Sequence, residues 1–273
     1  MRIVYREIIT KFRSMVRSQP LPCLLLTATI DPGECCHLVR RDPAVREADY
    51  LGALQSWIEE TNFPIVFCEN SGYDLSRIRH LVARYPERRV ELLQFRGNDQ
   101  SKIRGKGYGE LLIMEHALKH SRILRRSKYM VKVTGRLFIS NLNDVIRGLD
   151  NGQGDFFVAS FPHHQWLDKE LIHSQCVIAK PGFVKQYLTK HKDDISDLAG
   201  YYLEHALYAA VQDAVKDGHV RATFRVMPLF RGYNATDNTP VLNRKFLYKE
   251  WTHPHHPRAC SPHPSNSRTS PTR

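Results

Sequence analysis

The chain has 273 residues, 42% hydrophobic and 25% charged, enough apolar material to fill one large α/β domain or two small ones. It contains no run of about eighteen apolar residues, which excludes a membrane-spanning helix. The formal net charge of +12 favours anionic partners: nucleotide, phosphorylated lipid, nucleic acid or membrane surface.

Residues 1–20 alternate Ile3, Val4, Ile8, Phe12 and Val16 with Arg2, Arg6, Lys11, Arg13 and Arg17 in a helical rhythm. This suits a peripheral helix on anionic lipid, and equally a helix packed on the domain or a poorly ordered terminus. The segment lacks the apolar stretch and cleavage site of a secretory signal. Cys23, Cys35, Cys36, Cys68, Cys176 and Cys260 show no CxxC pair and no zinc spacing, so reduced thiols and a cytoplasmic protein are expected.

"CLLLTATI" (23–30) reads as a buried strand, and Asp42-Pro43 as the cap and first residue of a helix running to Glu60. A strand over 63–74, a helix over 75–85 and a strand over 89–95 follow. "RGNDQSKIRGKGYG" (96–109) reads as a polar, glycine-spaced loop, then a helix over 110–120 and a strand over 128–139. The β-α-β-α-β-α-β alternation predicts a Rossmann-like α/β fold, a mostly parallel sheet flanked by helices. Later come strands over 155–161 and 174–184, a helix over 201–217 with Gly218 as its stop, and a strand over 221–230. The Pro/Ser/His-rich stretch 251–273 reads as a disordered tail. One domain over 21–250 is expected, with a nucleotide-binding half (21–145) and an acceptor half (146–250).

In such sheets ligands bind at the carboxyl ends of the strands, near the point where strand order reverses. The residues there are Thr27, Ala28 and Thr29; Glu69, Asn70 and Ser71; Lys106, Gly107, Tyr108 and Gly109; and the stretch from Thr134 to Asn141. Hydroxyls, an amide, glycines and cations suit a nucleotide. "GKGYGE" (105–110) lets backbone approach an anion at a helix N-terminus, but it is neither a Walker A motif nor the dinucleotide fingerprint. "YMVKVTGRLFISN" (129–141) carries Lys132 and Arg136 through an apolar pattern, with no acid anywhere between Glu115 and Asp144. Their partner is either a bound phosphate or an intramolecular acid, Glu69 or Asp155.

The succession "LLLTATI", "RRDPAVREADYLGALQSWIEE", "VFCENSGYDLS", "GKGYGE", "VKVTGRLFISN" resembles bacterial GT-A-type glycosyltransferases that use nucleotide sugars in capsule, O-antigen and other surface-polysaccharide synthesis. The likeness spans residues 23 to about 145, and more loosely to about 240. It implies sugar transfer from a nucleotide-sugar donor to a glycan or polyprenyl-linked acceptor. Most such enzymes end the fourth strand with Asp-x-Asp, which holds a divalent metal; here "KVTGR" stands instead. The expectation is therefore a metal-free, cofactor-free site in which Lys132 and Arg136 steady the leaving phosphate. Glu204 is the first candidate for the base that deprotonates the acceptor, with His205, Asp168 and Glu170 as rivals. His163, His164 and Trp166 form a loop composition that suits a sugar, and "RGYNATD" (231–237) a turn that closes over donor or acceptor. The alternatives are a transferase for a CMP-activated acidic sugar and a basic nucleic-acid-binding protein. The second lacks exposed aromatics between its cations and any recognised motif.

Overall fold

Cys23–Ala28 (β1) is buried at every position, which a strand sustains when helices cover both faces of its sheet. The computed structural model has this arrangement. It describes residues 22–147, 157–160, 171–224 and 226–241, all within one compact unit that extends to Asn243. The expectations for residues 1–20, for His163, His164, Trp166, Asp168 and Glu170, for Asp155 and for the tail lie outside the described residues.

After β1, Pro43–Glu60 (α1) leads to Ile65–Glu69 (β2), and Ser76–Ala83 (α2) to Val90–Gln94 (β3). Ser101–His120 (α3) then returns the chain to Met130–Thr134 (β4). β1 pairs in parallel with β2 on one side and β4 on the other, and β3 pairs in parallel with β2. Beyond β4 come Phe138–Ile139 (β5), Leu142–Ile146 (α4), Phe157–Ser160 (β6), Cys176–Ala179 (β7), Pro181–Gln186 (α5), Leu203–Lys216 (α6), Val220–Thr223 (β8) and Phe230–Arg231 (β9). The main sheet has the order β3-β2-β1-β4-β7-β6-β8, and β5 and β9 form a separate antiparallel ribbon. Within the main sheet β7 runs antiparallel to β4 and β6, so the sheet is mostly parallel and flanked by helices.

The side-chain alternation of the strands sorts the layers. Cys23, Leu25, Val66, Cys68 and Met130 face a core built with α3, α5 and α6. Phe67 points the other way and meets Tyr50 of α1 edge-on at 6.0 Å between ring centres. Trp57, also on α1, donates its Nε1–H to Leu137 O at 2.9 Å. Asp42 caps α1 as its spacing predicts, Oδ1 accepting from Ala44 N at 2.8 Å and Val45 N at 3.2 Å.

Several boundaries differ from the sequence reading, each for a local reason. The strand expected over 128–139 ends at Thr134, because Gly135 turns across the end of β1 and donates its N–H to Thr27 O at 2.8 Å. A Cβ at that position would lie 2.8 Å from the same oxygen, so the turn requires glycine and Arg136 leaves the sheet. The strand expected over 174–184 stops at Ala179, since Pro181 opens α5. The strand expected over 221–230 is two strands in two sheets. Finally α3 begins at Ser101 rather than Glu110, with a break at Gly105 (φ 81°, ψ −172°).

Candidate active site

The chain winds outward from β1 through β2 to β3, then crosses back to lay β4 on the other side of β1. This reversal opens a crevice between the carboxyl ends of β1 and β4, the usual ligand position in such sheets. A cavity of about 220 Å³ lies there. Thr27 and Thr29 line it from β1, Thr134 and Arg136 from the end of β4, and Lys106, Gly107, Gly109 and Glu110 from α3. The later chain closes it with Ser174, Asp197, Glu204 and the turn Asn234–Thr236. Residues assigned from sequence to two separate halves thus share one cavity.

The start of α3 is not free to receive an anion. Beyond the break at Gly105, Lys106 N and Gly107 N both donate to Asp197 Oδ2, at 2.8 and 3.4 Å. The helix dipole that the sequence reading aims at a bound phosphate from Glu110 therefore starts at Lys106 and already holds the protein's own carboxylate. A Cβ on Gly105 would fall 2.3 Å from Asp197 Oδ2. Asp197 is only 3% exposed, and burial pushes its pKa up, against the opposing pull of the Gly107 and Lys106 N–H groups and the Lys106 charge. It is anchored by long-range contacts: its N–H donates to Arg104 O at 2.9 Å, and Arg104 Nε–H donates to Ile195 O at 2.7 Å. Sequence reasoning missed it because "KDDISDLAG" has no motif and gains meaning only by meeting α3.

Lys132 shares with Met130 the strand face that looks toward α3, and its ammonium is 2.6 Å from Glu110 Oε1. The pair is internal: the Lys132 side chain is 1% exposed, and it also donates to Ser174 O. The expectation that Lys132 meets its counter-charge only in a bound phosphate is thereby corrected, and of the acids offered as alternatives Glu69 is replaced by Glu110, while Asp155 lies outside the described residues. The partner is the last residue of "GKGYGE", 22 positions away from Lys132 in sequence but carried over the strand by α3. Glu110 further accepts from Thr27 Oγ1 at 2.8 Å and Thr134 Oγ1 at 3.4 Å. Burial alone would raise its pKa, but Lys132, the Thr27 hydroxyl and the Arg136 charge hold it below the ordinary carboxylate value.

Arg136 does line the cavity. It is half-buried, and its Nε–H donates to Tyr233 O at 2.9 Å. Burial lowers its pKa; Arg46 acts in the same direction, while Tyr50 and Glu110 oppose. Arg46 itself directs its guanidinium to Thr29 O, Ile30 O, Arg40 O and Tyr50 Oη rather than to a carboxylate. It fixes the end of β1. Lys106 Nζ donates to Thr236 Oγ1 at 2.5 Å, which ties the "RGYNATD" turn to the cavity wall.

Glu204, on the first turn of α6, reaches the cavity and accepts from Ser174 Oγ at 2.6 Å. His205, its neighbour, is committed elsewhere: its Nδ1 accepts from Tyr202 N at 3.0 Å, and its ring stacks with Tyr201 and Tyr202. Of the other expected binding residues, Thr29 donates to Asn70 Oδ1 at 2.6 Å, and the buried Asn70 amide reaches Gly109 O at 3.4 Å. Ala28, Glu69, Asn70, Ser71 and Tyr108 are not part of the lining. Glu69 is fully buried and gathers N–H groups of Ile30, Ser71 and Gly72 at 2.8 to 3.1 Å, so it shapes the loop after β2. Ser71 donates its hydroxyl to Glu69. The Tyr108 ring lies under the Arg104 guanidinium at 4.4 Å.

The lining thus carries Arg46, Lys106 and Arg136 beside Glu110, Asp197 and Glu204. It is a charge-balanced site, in which Glu204 was expected from sequence and Glu110 and Asp197 were not. Among the described residues no three His, Cys, Asp or Glu side chains are grouped so as to hold a metal ion.

No protein-family model matches the chain, and no curated protein matches it. Among solved structures it is similar to the glycosyltransferase GlyE of Streptococcus pneumoniae TIGR4, at 9% identity and a TM-score of 0.44 over 75% of this chain and 45% of that one. It is also similar to residues 1–349 of TarS from S. aureus, in complex with UDP-GlcNAc, at 12% identity and a TM-score of 0.44 over 80% of this chain and 61% of that one. A cytidylyltransferase from Leptospira borgpetersenii is similar at 11% identity and a TM-score of 0.42, over 76% of each chain. The chain therefore spans 45% and 61% of the first two structures it matches. At these values the likeness carries no conclusion about activity.

Proposed function

We propose that the protein is a glycosyltransferase that moves a sugar from a nucleotide-sugar donor to a hydroxyl of a glycan or polyprenyl-linked acceptor in surface-polysaccharide synthesis, acting in the cytoplasm. The observation that supports this reading is the mixed lining at the β1/β4 switch point: guanidinium and ammonium groups beside carboxylates and threonine hydroxyls. A nucleotide sugar brings both complements, phosphate oxygens for Arg136 and Lys106 and sugar hydroxyls for Glu110 and Asp197. A nucleic acid brings one phosphate after another and would be repelled by those carboxylates.

In an inverting transfer Glu204, oriented by Ser174, accepts the proton of the acceptor hydroxyl. The freed oxygen pair bonds to the anomeric carbon as the bond from that carbon to the phosphate oxygen breaks, and the electron pair leaves with the nucleotide. Arg136 then faces the charge that builds on the departing phosphate; its planar fork suits two oxygens. In this proposal fixed cations serve where many related enzymes use a divalent metal. Lys132 has a supporting part: it keeps Glu110 ionised and in position to accept from a donor hydroxyl.

Thermal-shift and slow-hydrolysis panels of UDP-, GDP- and CMP-sugars, each with and without EDTA, test the reading. Stabilisation by a UDP or GDP compound, unchanged by EDTA and accompanied by release of its sugar, is expected. A response confined to CMP-sugars would move the reading to an acidic-sugar transferase. Loss of the response on chelation would remove the metal-free mechanism. Indifference to every sugar nucleotide, together with salt-sensitive binding of DNA or RNA, would reject the proposal.

A further inference from the structure

We propose that the far end of α3 carries a second anion site, an open cleft between α3 and α5 that binds a phosphate-bearing ligand. The cleft has a volume of about 440 Å³, and Lys119, Arg125 and Lys185 are its cationic walls. These three come from different elements: the last turn of α3, the short helical turn after it, and α5. Their convergence is therefore a product of the fold and not of one basic run. All three side chains are exposed, and none has an ion-pair partner among the described residues.

The one acid of the cleft, Glu115, is already neutralised by Lys192 at 2.7 Å. Three like charges held around one cleft repel one another until an anion enters, and a phosphate offers several acceptor oxygens to such a set. Leu118 and Val184 give the cleft an apolar floor. The turn after α3 also exposes Arg122, Arg126 and Lys128, and the acid that reaches it, Glu91, accepts from the N–H groups of Arg122 and Ile123 at 2.9 and 3.2 Å.

The cleft is separate from the candidate active site. Lys119 stands nine residues along α3 from Glu110, a rise of about 14 Å, and the strand ends near it are the opposite ones to those that line the cavity. No residue is shared between the two linings. The ligand phosphate has two possible sources, a soluble phosphoester or the headgroup of a lipid bilayer, and these are separable.

The test uses the full chain and two probes. Pyrophosphate binding is followed by calorimetry at about 50 mM and about 500 mM salt, where screening differs strongly. Vesicles of phosphatidylglycerol with phosphatidylcholine are compared with phosphatidylcholine alone by flotation. The triple variant Lys119→Glu/Arg125→Glu/Lys185→Glu should weaken binding of the effective probe at least ~10-fold, as three reversed contacts in a charge-assisted site require. Arg79→Glu, an equal charge reversal at an exposed residue of α2 that belongs to neither lining, should leave that binding within about twofold. The single variants Arg125→Glu and Lys185→Glu read the same effect should the triple variant lose its circular-dichroism spectrum. Binding of pyrophosphate alone identifies a soluble ligand, and binding of the anionic vesicles alone a headgroup; either supports the site. Failure of both probes to bind, or binding that survives the charge reversals, overturns it.

Discussion

Glu110→Gln would leave the Lys132 ammonium, 1% exposed, with neutral acceptors alone, the introduced amide oxygen and the Ser174 carbonyl. Removing one partner of a buried ion pair costs about 3–5 kcal/mol, because the remaining charge is uncompensated, and Glu110→Gln falls in the upper part of that range. Lys132→Met is milder, near 3 kcal/mol by the same measure, since Glu110 keeps the Thr27 hydroxyl at 2.8 Å and 18% exposure toward the cavity. The double variant removes both charges, so it should recover at least about 2 kcal/mol relative to the sum of the single losses. Urea unfolding at pH 7, followed by fluorescence of the buried Trp57, measures all three values. The pH dependence has a definite sign. Glu110 has a depressed pKa in the folded protein, so the pair's contribution is fully present above the ordinary glutamate value of about 4.3 and is lost as pH falls through the lower folded value. Lys132→Met should flatten that acid limb. Single variants within about 1 kcal/mol of the parent, or strictly additive losses, would refute a coupled buried pair.

Arg136→Ala should lower kcat by about 10²–10³-fold while the melting temperature stays within a few degrees of the parent's; unchanged turnover removes the phosphate role. Glu204→Gln should cost about 10²–10⁴-fold in kcat with donor KM little altered, and a selective rise in donor KM would instead mark Glu204 as a binding group. Gly105→Ala meets both a φ of 81° and a Cβ position 2.3 Å from Asp197, so a loss of at least about 2 kcal/mol is expected by denaturant titration. Asp197→Asn keeps an oxygen for the Lys106 and Gly107 N–H groups and removes a buried charge. Because burial raises the Asp197 pKa, ionising it costs stability progressively above its unfolded value, near 3.9. The variant should match or exceed the parent at pH 7, with the gap closing below about pH 4; a large loss at pH 7 contradicts this.

The local grammar of the chain fixed its first half. The apolar runs within 23–30 and 63–74, Asp42-Pro43 and the β/α alternation are interactions between near neighbours, and each gives its element inside the expected range, the strands ending earlier, at Ala28 and Glu69. The same holds for Gly218, in the left-handed region at φ 84° just beyond α6. Legible too was the neighbourhood of the site, because the carboxyl ends of parallel strands gather Thr27, Thr29, Lys106, Thr134 and Arg136 whatever the loops do. What tertiary structure alone decided is the pairing of charges. Lys132 looked unpartnered because Glu110 is remote along the chain, and only the strand's alternation and the crossing of α3 bring them to 2.6 Å. Asp197 sits in a sequence without signal, yet it caps α3 because the loop that carries it is pinned to Arg104. Electrostatic partnership depends on distance in space, and a sequence records order along the chain; residues far apart in that order reveal their contacts only once the sheet and helices have packed.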